Sequence, residues 1–201
     1  MLIHIHPENP QPRLLRQVAE ILRGGGIIVY PTDTIYGLGC DIFQHKAVER
    51  ICRIKGVDPQ KANLSFVCPD LSDLSKYARQ LDTPVYRSLK QHLPGPYTFI
   101  LGASREVPRI LKTKRDTVGI RIPDNKIARC IAEELGNPIL SATLPGDIVE
   151  EYTDPDLIHD RFEKLVDAVI DGGIGGMTPS TVIDYSSGDP EVVRIGAGPW
   201  E

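Results

Sequence analysis

The spacing of hydrophobic residues divides the first quarter of the chain into helices and a strand. Between Leu14 and Leu22, apolar side chains recur every three or four residues, which predicts a helix ended by the glycine run 24–26. The apolar run 27–30, "IIVY", predicts a buried strand. A second apolar stripe at helical spacing predicts a helix over 45–55.

The rest of the chain continues this alternation. Further strands are predicted over 63–68, 97–101, 117–123 and 138–143, with two last ones inside 178–186 and 190–198. Further helices are predicted within 70–93, where Thr83-Pro84 separates two of them, and over 127–135 and 154–166. Roughly seven or eight strands and about five helices predict one α/β domain with a mixed sheet. Residues 145–154 are the best candidate for a mobile loop.

Composition places the chain among ordinary globular proteins. Its 201 residues are enough for one large domain, with 41% hydrophobic and 25% charged residues. The net charge of −4 argues against a protein that coats nucleic acid, although a local basic patch stays compatible with it. No secretory signal or apolar membrane span is recognisable, so we expect a cytoplasmic protein without a membrane partner.

Cysteine and histidine spacing gives little support for a metal site. The four cysteines stand without a C-x-x-C pair, which favours buried reduced thiols over zinc ligands: Cys40, Cys52, Cys68 and Cys130. His4 and His6 alternate as on a strand, and without a third ligand nearby an edge strand is favoured. We therefore predict no metal site formed by the protein.

Polar side chains gather where several predicted strands begin or end. The segments are "PTDT" (31–34), "PGPYT" (94–98), "SAT" (141–143) and "GGMTPST" (175–181), with Arg121 in "GIRIP". Hydroxyls, glycine amides and cations suit phosphate and carboxylate oxygens, and ligands of α/β sheets bind at strand ends. For each segment alone an ordinary turn is the favoured interpretation, and neither standard glycine-rich phosphate motif is present. The residues alone thus predict an α/β protein with an anion or nucleotide pocket.

The ordered series of motifs resembles the YrdC-like family, which includes the threonylcarbamoyl-AMP synthases. The matching segments are "PTDTIYGLGC" (31–40), "ICRIKG" (51–56), "PGPYTFIL" (94–101), "VGIRIP" (118–123), "LSAT" (140–143), "STVID" (180–184) and Arg194. The likeness spans residues 12–198, and the segments "IHPENPQPR" and "ICRIK" are most similar to the YciO branch.

The resemblance implies one YrdC-like domain over 1–201: a twisted open mixed sheet with flanking helices around a large concave pocket. Synthases of this family condense ATP, L-threonine and bicarbonate into threonylcarbamoyl-AMP, which supplies the N6-threonylcarbamoyladenosine modification of tRNA. Mg²⁺ is expected to accompany the nucleotide. The family is also associated with double-stranded RNA binding, so double-stranded RNA or tRNA is a further expected partner.

The resemblance also assigns roles to individual residues. Lys55 and Ser141 are the expected catalytic residues. The expected substrate-binding residues are Thr32, Asp33, Thr34, Tyr36, Ser180 and Arg121, the last at the threonine carboxylate. The expected nucleotide-binding residues are Pro96, Thr98, Thr143 and Arg194.

Two departures from the family pattern bear on activity. The Lys-x-Arg signature of the synthases reads Lys55-Gly56-Val57 here, and the Ser-x-Asn signature reads Ser141-Ala142-Thr143. Valine has no charge and no donor, and losing a charged contact whose partner stays buried costs on the order of 2–5 kcal/mol. Lys61 and Arg53 are candidate replacements for the missing cation.

Three functions remain open at this point. The protein either makes, hydrolyses or transfers threonylcarbamoyl-AMP or a similar acyl adenylate, or binds RNA without that chemistry, or acts as a sensor or subunit. The candidate RNA contacts are Arg13, Arg16, Arg105, Arg109, Lys112, Lys114 and Arg115, although a solvated connection is the favoured interpretation of the last five.

Overall fold

The structure is a computed structural model that describes residues 1–58, 64–79, 81–111, 116–146 and 152–200. These residues form a ten-stranded sheet with helices on both faces. The strands are β1 (Leu2–His4), β2 (Ile28–Tyr30), β3 (Gly37–Asp41), β4 (Ser65–Val67), β5 (Tyr97–Gly102), β6 (Thr117–Arg121), β7 (Ile139–Thr143), β8 (Ala168–Asp171), β9 (Thr181–Asp184) and β10 (Glu191–Arg194). The helices are α1 (Pro12–Arg23), α2 (His45–Lys55), α3 (Leu71–Tyr77), α4 (Thr83–His92), α5 (Lys126–Leu135), α6 (Pro155–Phe162) and a 3₁₀ turn (Arg109–Leu111).

The sheet is mixed, as the sequence predicts. Its strand order is β1-β8-β2-β3-β7-β4-β6-β5-β9-β10. The pairs β1–β8, β2–β8, β4–β6 and β5–β9 are parallel, and the other neighbours are antiparallel. His4 lies on an edge strand, which confirms that prediction, while His6 lies just beyond it.

The two faces of the sheet are covered differently. One face packs its large residues, such as Leu38, Phe66 and Phe99, into a core with α2, α3, α4 and α6. On the other face, α1 and α5 cover the end that carries Val67 and Ile139. Two residues further along those strands the side chains are small, and none of the described helices covers the sheet there.

The uncovered region has a floor of small residues set by strand register. Ser141 lies opposite Ser65 on β4, and Ser65 lies opposite Gly119 on β6. Because side chains alternate between faces, these residues share the face of Arg121. Missing side-chain volume on this row leaves a concavity above the sheet.

Several predicted bounds differ from the structure. Gly37–Asp41 forms β3 where no strand was predicted, and β2 and β7 pair with it on its two sides. Ala168–Asp171 forms β8 where no strand was predicted, and the helix predicted over 154–166 spans only Pro155–Phe162. Half of the loop 145–154 that was expected to be mobile, residues 147–151, lies outside the described residues.

Helix length also bears on the membrane prediction. Within the described ranges, no helix has both the length and the apolar character that crossing a bilayer requires.

Candidate functional site

A cavity of about 600 Å³ opens above the row of small residues. Most of the predicted site residues line it: Thr32, Tyr36, Lys55, Thr98, Arg121, Ser141, Thr143, Ser180 and Arg194. Asp33 and Thr34 lie behind this lining and contact Arg121. Pro96 is not part of the lining, and its carbonyl accepts a hydrogen bond of 3.0 Å from the amide of Thr181, which joins β5 to β9.

Arg121 is held at the end of β6 by the turn that follows β2. Its Nη2 donates to Asp33 Oδ1 at 2.7 Å and to Thr34 Oγ1 at 3.1 Å. Asp33 Oδ2 accepts a hydrogen bond of 3.0 Å from the amide of Asp124. The buried Nε of Arg121 has no hydrogen-bond partner within the described residues. The hydrogen-bonding capacity of this guanidinium is therefore not fully used within the described residues.

Hydroxyls of the turn 32–36 are used inside the protein. Thr32 Oγ1 accepts from the amide of Thr34 at 3.1 Å and donates to the carbonyl of Ile35 at 2.8 Å. The Tyr36 hydroxyl donates to the carbonyl of Gly173 at 2.7 Å, and burial raises the pKa of Tyr36 to about 12. The turn thus has a rigid form, and it is tied to the glycine-rich loop after β8.

Lys55 is the last residue of α2, and its side chain lines the cavity. Its Nζ donates to the carbonyl and to Oγ1 of Thr143, at 2.7 and 2.8 Å. Partial burial lowers the pKa of Lys55 below its ordinary value. Gly56 adopts a left-handed conformation with φ of 66°, which turns the chain so that Val57 joins the cavity lining.

Arg194 closes the cavity from the edge strand β10. Its Nη2 and Nε donate to the carbonyl of Ser180 at 2.8 and 3.1 Å, and the hydroxyls of Ser180 and Thr98 lie 2.9 Å apart. Burial and the positive charge of Arg121 both lower the pKa of Arg194. An anion placed between the two guanidinium groups would relieve this repulsion.

The charge balance of the cavity favours an anionic ligand. Asp33 compensates Arg121, whereas Lys55 and Arg194 donate to neutral oxygens. In the described part of the chain, the lining includes no carboxylate. The positive charges of Lys55 and Arg194 therefore suit phosphate or carboxylate oxygens.

The same side chains do not suit a resident metal ion. Over the described ranges, no cluster of three or more histidine, cysteine, aspartate or glutamate residues is found, and His4 pairs with Asp171 instead. The Mg²⁺ expected with a nucleotide would need phosphate oxygens as ligands, and it stays a prediction. All four cysteines are free thiols, as predicted, and three of them are buried.

The predicted replacement cation and RNA contacts lie away from the cavity or outside the described residues. Arg53 is exposed and is not part of the lining. Arg13, Arg16, Arg105 and Arg109 are exposed as well. Lys61, Lys112, Lys114 and Arg115 lie outside the described residues. RNA binding therefore stays a prediction.

Several lining residues have no counterpart in the sequence predictions. Ser65 and Gly119 form the floor, and Val193 joins the wall beside Arg194. The alternation of "TVGIR" would have placed Gly119 on the face of Arg121. The strand pairing that brings Ser65 next to Gly119 has no signal in the sequence.

Comparison with known proteins finds related sequences and structures over most of the chain. A family model for Sua5, YciO and YrdC proteins, described as "Telomere recombination", matches residues 20–196. YciO of Escherichia coli is 50% identical over 198 residues, which cover 97% of this chain and 95% of YciO. A threonylcarbamoyl-AMP synthase of Methylobacillus flagellatus is 33% identical over 184 residues, which cover 86% of this chain and 96% of the synthase.

A solved structure extends the comparison to a bound ligand. The crystal structure of P. abyssi Sua5 complexed with L-threonine superimposes with a TM-score of 0.88 at 30% sequence identity. The match covers 98% of this chain and 57% of that chain. Sequence and fold agree, and the chain belongs to the Sua5/YciO/YrdC family.

Proposed function

We propose that the cavity binds ATP and L-threonine and that the protein forms threonylcarbamoyl-AMP from them with bicarbonate, at a low rate. The observation that carries the proposal is the meeting of Lys55, Arg121 and Arg194 around one cavity whose described lining has no carboxylate. Membership in a family with a threonylcarbamoyl-AMP synthase and a threonine-bound Sua5 supports the choice of ligands.

The proposed reaction has two steps. The amino nitrogen of L-threonine attacks the carbon of bicarbonate, and water leaves to give a carbamate. A carbamate oxygen then attacks the α-phosphorus of ATP, the bond to the bridging oxygen breaks, and pyrophosphate leaves. Negative charge grows on phosphate oxygens during the second step, so fixed cations beside them lower the barrier.

The residues divide between the two substrates. Arg121 lines the cavity, its position is fixed by Asp33, and its Nε has no partner among the described residues, which suits the threonine carboxylate. Among the residues that the structure describes, Lys55 and Arg194 donate to neutral oxygens of Thr143 and Ser180, which suits the phosphates. The hydroxyls of Ser141 and Ser180 supply neutral hydrogen-bond donors on the cavity surface.

Val57 is the reason for the low rate. It lines the cavity with an exposed fraction of 36%, at the position where the synthases carry an arginine. One cation fewer beside the phosphates weakens both ATP binding and charge stabilisation in the transition state. Hydrolysis of preformed threonylcarbamoyl-AMP in the same pocket is the competing activity. The adenylate would supply the threonylcarbamoyl modification of tRNA.

Mass spectrometry of the reaction mixture tests this proposal. Pure protein is incubated with ATP, Mg²⁺, bicarbonate and L-threonine, and threonylcarbamoyl-AMP is quantified over time. Lys55→Ala is the test variant. Lys126→Ala is the matched control, because Lys126 pairs with Glu8 at 2.9 Å and is not part of the described cavity lining.

The expected result is slow product formation by the wild type and by Lys126→Ala, with a loss of at least tenfold in Lys55→Ala. Faster loss of preformed threonylcarbamoyl-AMP without any synthesis would overturn the proposed synthase activity and indicate a hydrolase instead. No effect of the protein on either process would overturn the proposal.

A further inference from the structure

Tyr30 is a buried tyrosine whose hydroxyl is hydrogen-bonded to the cavity floor. It is fully buried at the end of β2, and its hydroxyl lies 2.7 Å from Ser141 Oγ on β7. Strand β3 runs between β2 and β7. The phenol therefore has to cross over β3 to make this contact.

Two glycines of β3 make room for that crossing. A Cβ atom on Gly39 would lie only 2.8 Å from Cε1 of Tyr30. A Cβ atom on Gly37 would lie 3.2 Å from Ser141 Oγ and 3.6 Å from the Tyr30 ring. Any larger residue at position 39 would displace the ring, so the sequence of β3 is adapted to bring Tyr30 and Ser141 together.

The direction of this hydrogen bond decides what Ser141 does. A phenol is a stronger acid than an aliphatic hydroxyl, so Tyr30 donates and Ser141 Oγ accepts. Burial raises the pKa of Tyr30 to about 12, which keeps the phenol protonated near neutral pH. Within the described residues, Ser141 Oγ has no second hydrogen-bond partner. The Ser141 proton is thereby left to point elsewhere, and Ser141 lines the cavity.

We propose that Tyr30 is a positioning residue that fixes Ser141 as a hydrogen-bond donor to a phosphate oxygen in the cavity. The inference rests on the proposed function for the identity of the ligand. It goes beyond that function because Tyr30 is not part of the cavity lining and acts only through Ser141. Without the phenol, the Ser141 hydroxyl can rotate and is no longer held toward the ligand.

A double-mutant cycle on ATP binding tests this role. Calorimetric titration compares wild type, Tyr30→Phe, Ser141→Ala and the double variant. Tyr185→Phe is a matched control, because it also removes a tyrosine–serine hydrogen bond, of 2.9 Å to Ser88 Oγ, outside the described cavity lining. Thermal melting of all variants separates lost stability from lost binding.

The expected result is a loss of ATP affinity of about tenfold in Tyr30→Phe and in Ser141→Ala, with no further loss in the double variant. Tyr185→Phe should bind ATP as the wild type does. Unchanged ATP affinity in Tyr30→Phe, or an undiminished effect of this substitution in the Ser141→Ala background, would overturn the inference alone. A wild type that does not bind ATP would overturn the proposed function as well.

A crystal structure of the wild type with ATP gives a second test, which does not depend on whether the variants fold. The inference expects Ser141 Oγ within hydrogen-bond distance of a phosphate oxygen while its contact with Tyr30 persists. A Ser141 hydroxyl turned away from bound ATP would contradict it.

Discussion

The guanidinium of Arg121 and the carboxylate of Asp33 form an ion pair of 2.7 Å in which both side chains are buried, with exposed fractions of 8% and 9%. Additional hydrogen bonds from Arg121 to Thr34 and from the amide of Asp124 to Asp33 complete the pair. Removing two charges from water is costly, and here the pair itself compensates each charge. Each residue therefore depends on the other.

Asp33→Ala should lower the free energy of unfolding by about 3–5 kcal/mol, because it leaves the Arg121 charge buried without its partner. Adding Arg121→Met should recover part of this loss. Urea denaturation measures both effects. Glu8→Ala serves as the control, since its ion pair with Lys126 is exposed, and stability should stay close to wild type. Equal stability of Asp33→Ala and wild type would contradict the account of the pair.

Alanine substitutions at two glycines of the sheet should differ in their effect on stability. In Gly39→Ala the new Cβ lies 2.8 Å from both Tyr30 and Ile139, so overpacking should cost about 1–3 kcal/mol of unfolding free energy. In Gly119→Ala the nearest atoms lie at 3.5 Å, an ordinary contact, so stability should hold while the added methyl raises the cavity floor. Thermal melting and ATP titration separate the two effects. Similar melting temperatures for both variants would argue against the tight packing at Gly39.

These glycines also show how far the sequence predicts the structure. Helix α2 has the predicted bounds, since His45–Lys55 carries a clear apolar stripe and ends at a left-handed Gly56. Strand β3 was not predicted, because its glycines make room for the Tyr30 ring, a contact across strands that periodicity does not encode. Most predicted site residues meet at one cavity, yet Ser65 and Tyr30 depend on strand pairing and could not be found from spacing alone.

Binding of ATP should weaken as pH rises through the pKa of Lys55. Partial burial lowers this pKa in the free protein, and a bound anion favours the ammonium form and raises the pKa again. Affinity is therefore highest below the lowered pKa and is lost between it and the higher pKa of the complex. Titrations from about pH 7.5 to 10 measure the effect.

Two variants isolate the contribution of Lys55 to that profile. Lys55→Arg keeps its charge over the whole range and should flatten the pH dependence. Lys55→Met should bind weakly at every pH. A profile in Lys55→Arg that matches the wild type would assign the pH dependence to another group.

Val57→Arg should strengthen ATP binding by about tenfold, because a guanidinium at this position adds a charge-assisted hydrogen bond to phosphate. The control is Val192→Arg, which adds the same charge at a residue of similar exposure, 40% against 36%, outside the described cavity lining. Calorimetric titration at two salt concentrations compares them. Equal gains in both variants would indicate a general charge effect rather than a contact within the cavity.

The most direct test of the central claim is a calorimetric titration of ATP and of L-threonine into wild type, Arg194→Met and Lys55→Met, with exposed Arg13→Met as the control. We expect the wild type and Arg13→Met to bind ATP equally, and the two cavity variants to bind it at least tenfold more weakly. L-Threonine should bind the wild type. Absence of binding by the wild type, or equal ATP affinity in all four proteins, would contradict the assignment of this cavity as the adenylate site.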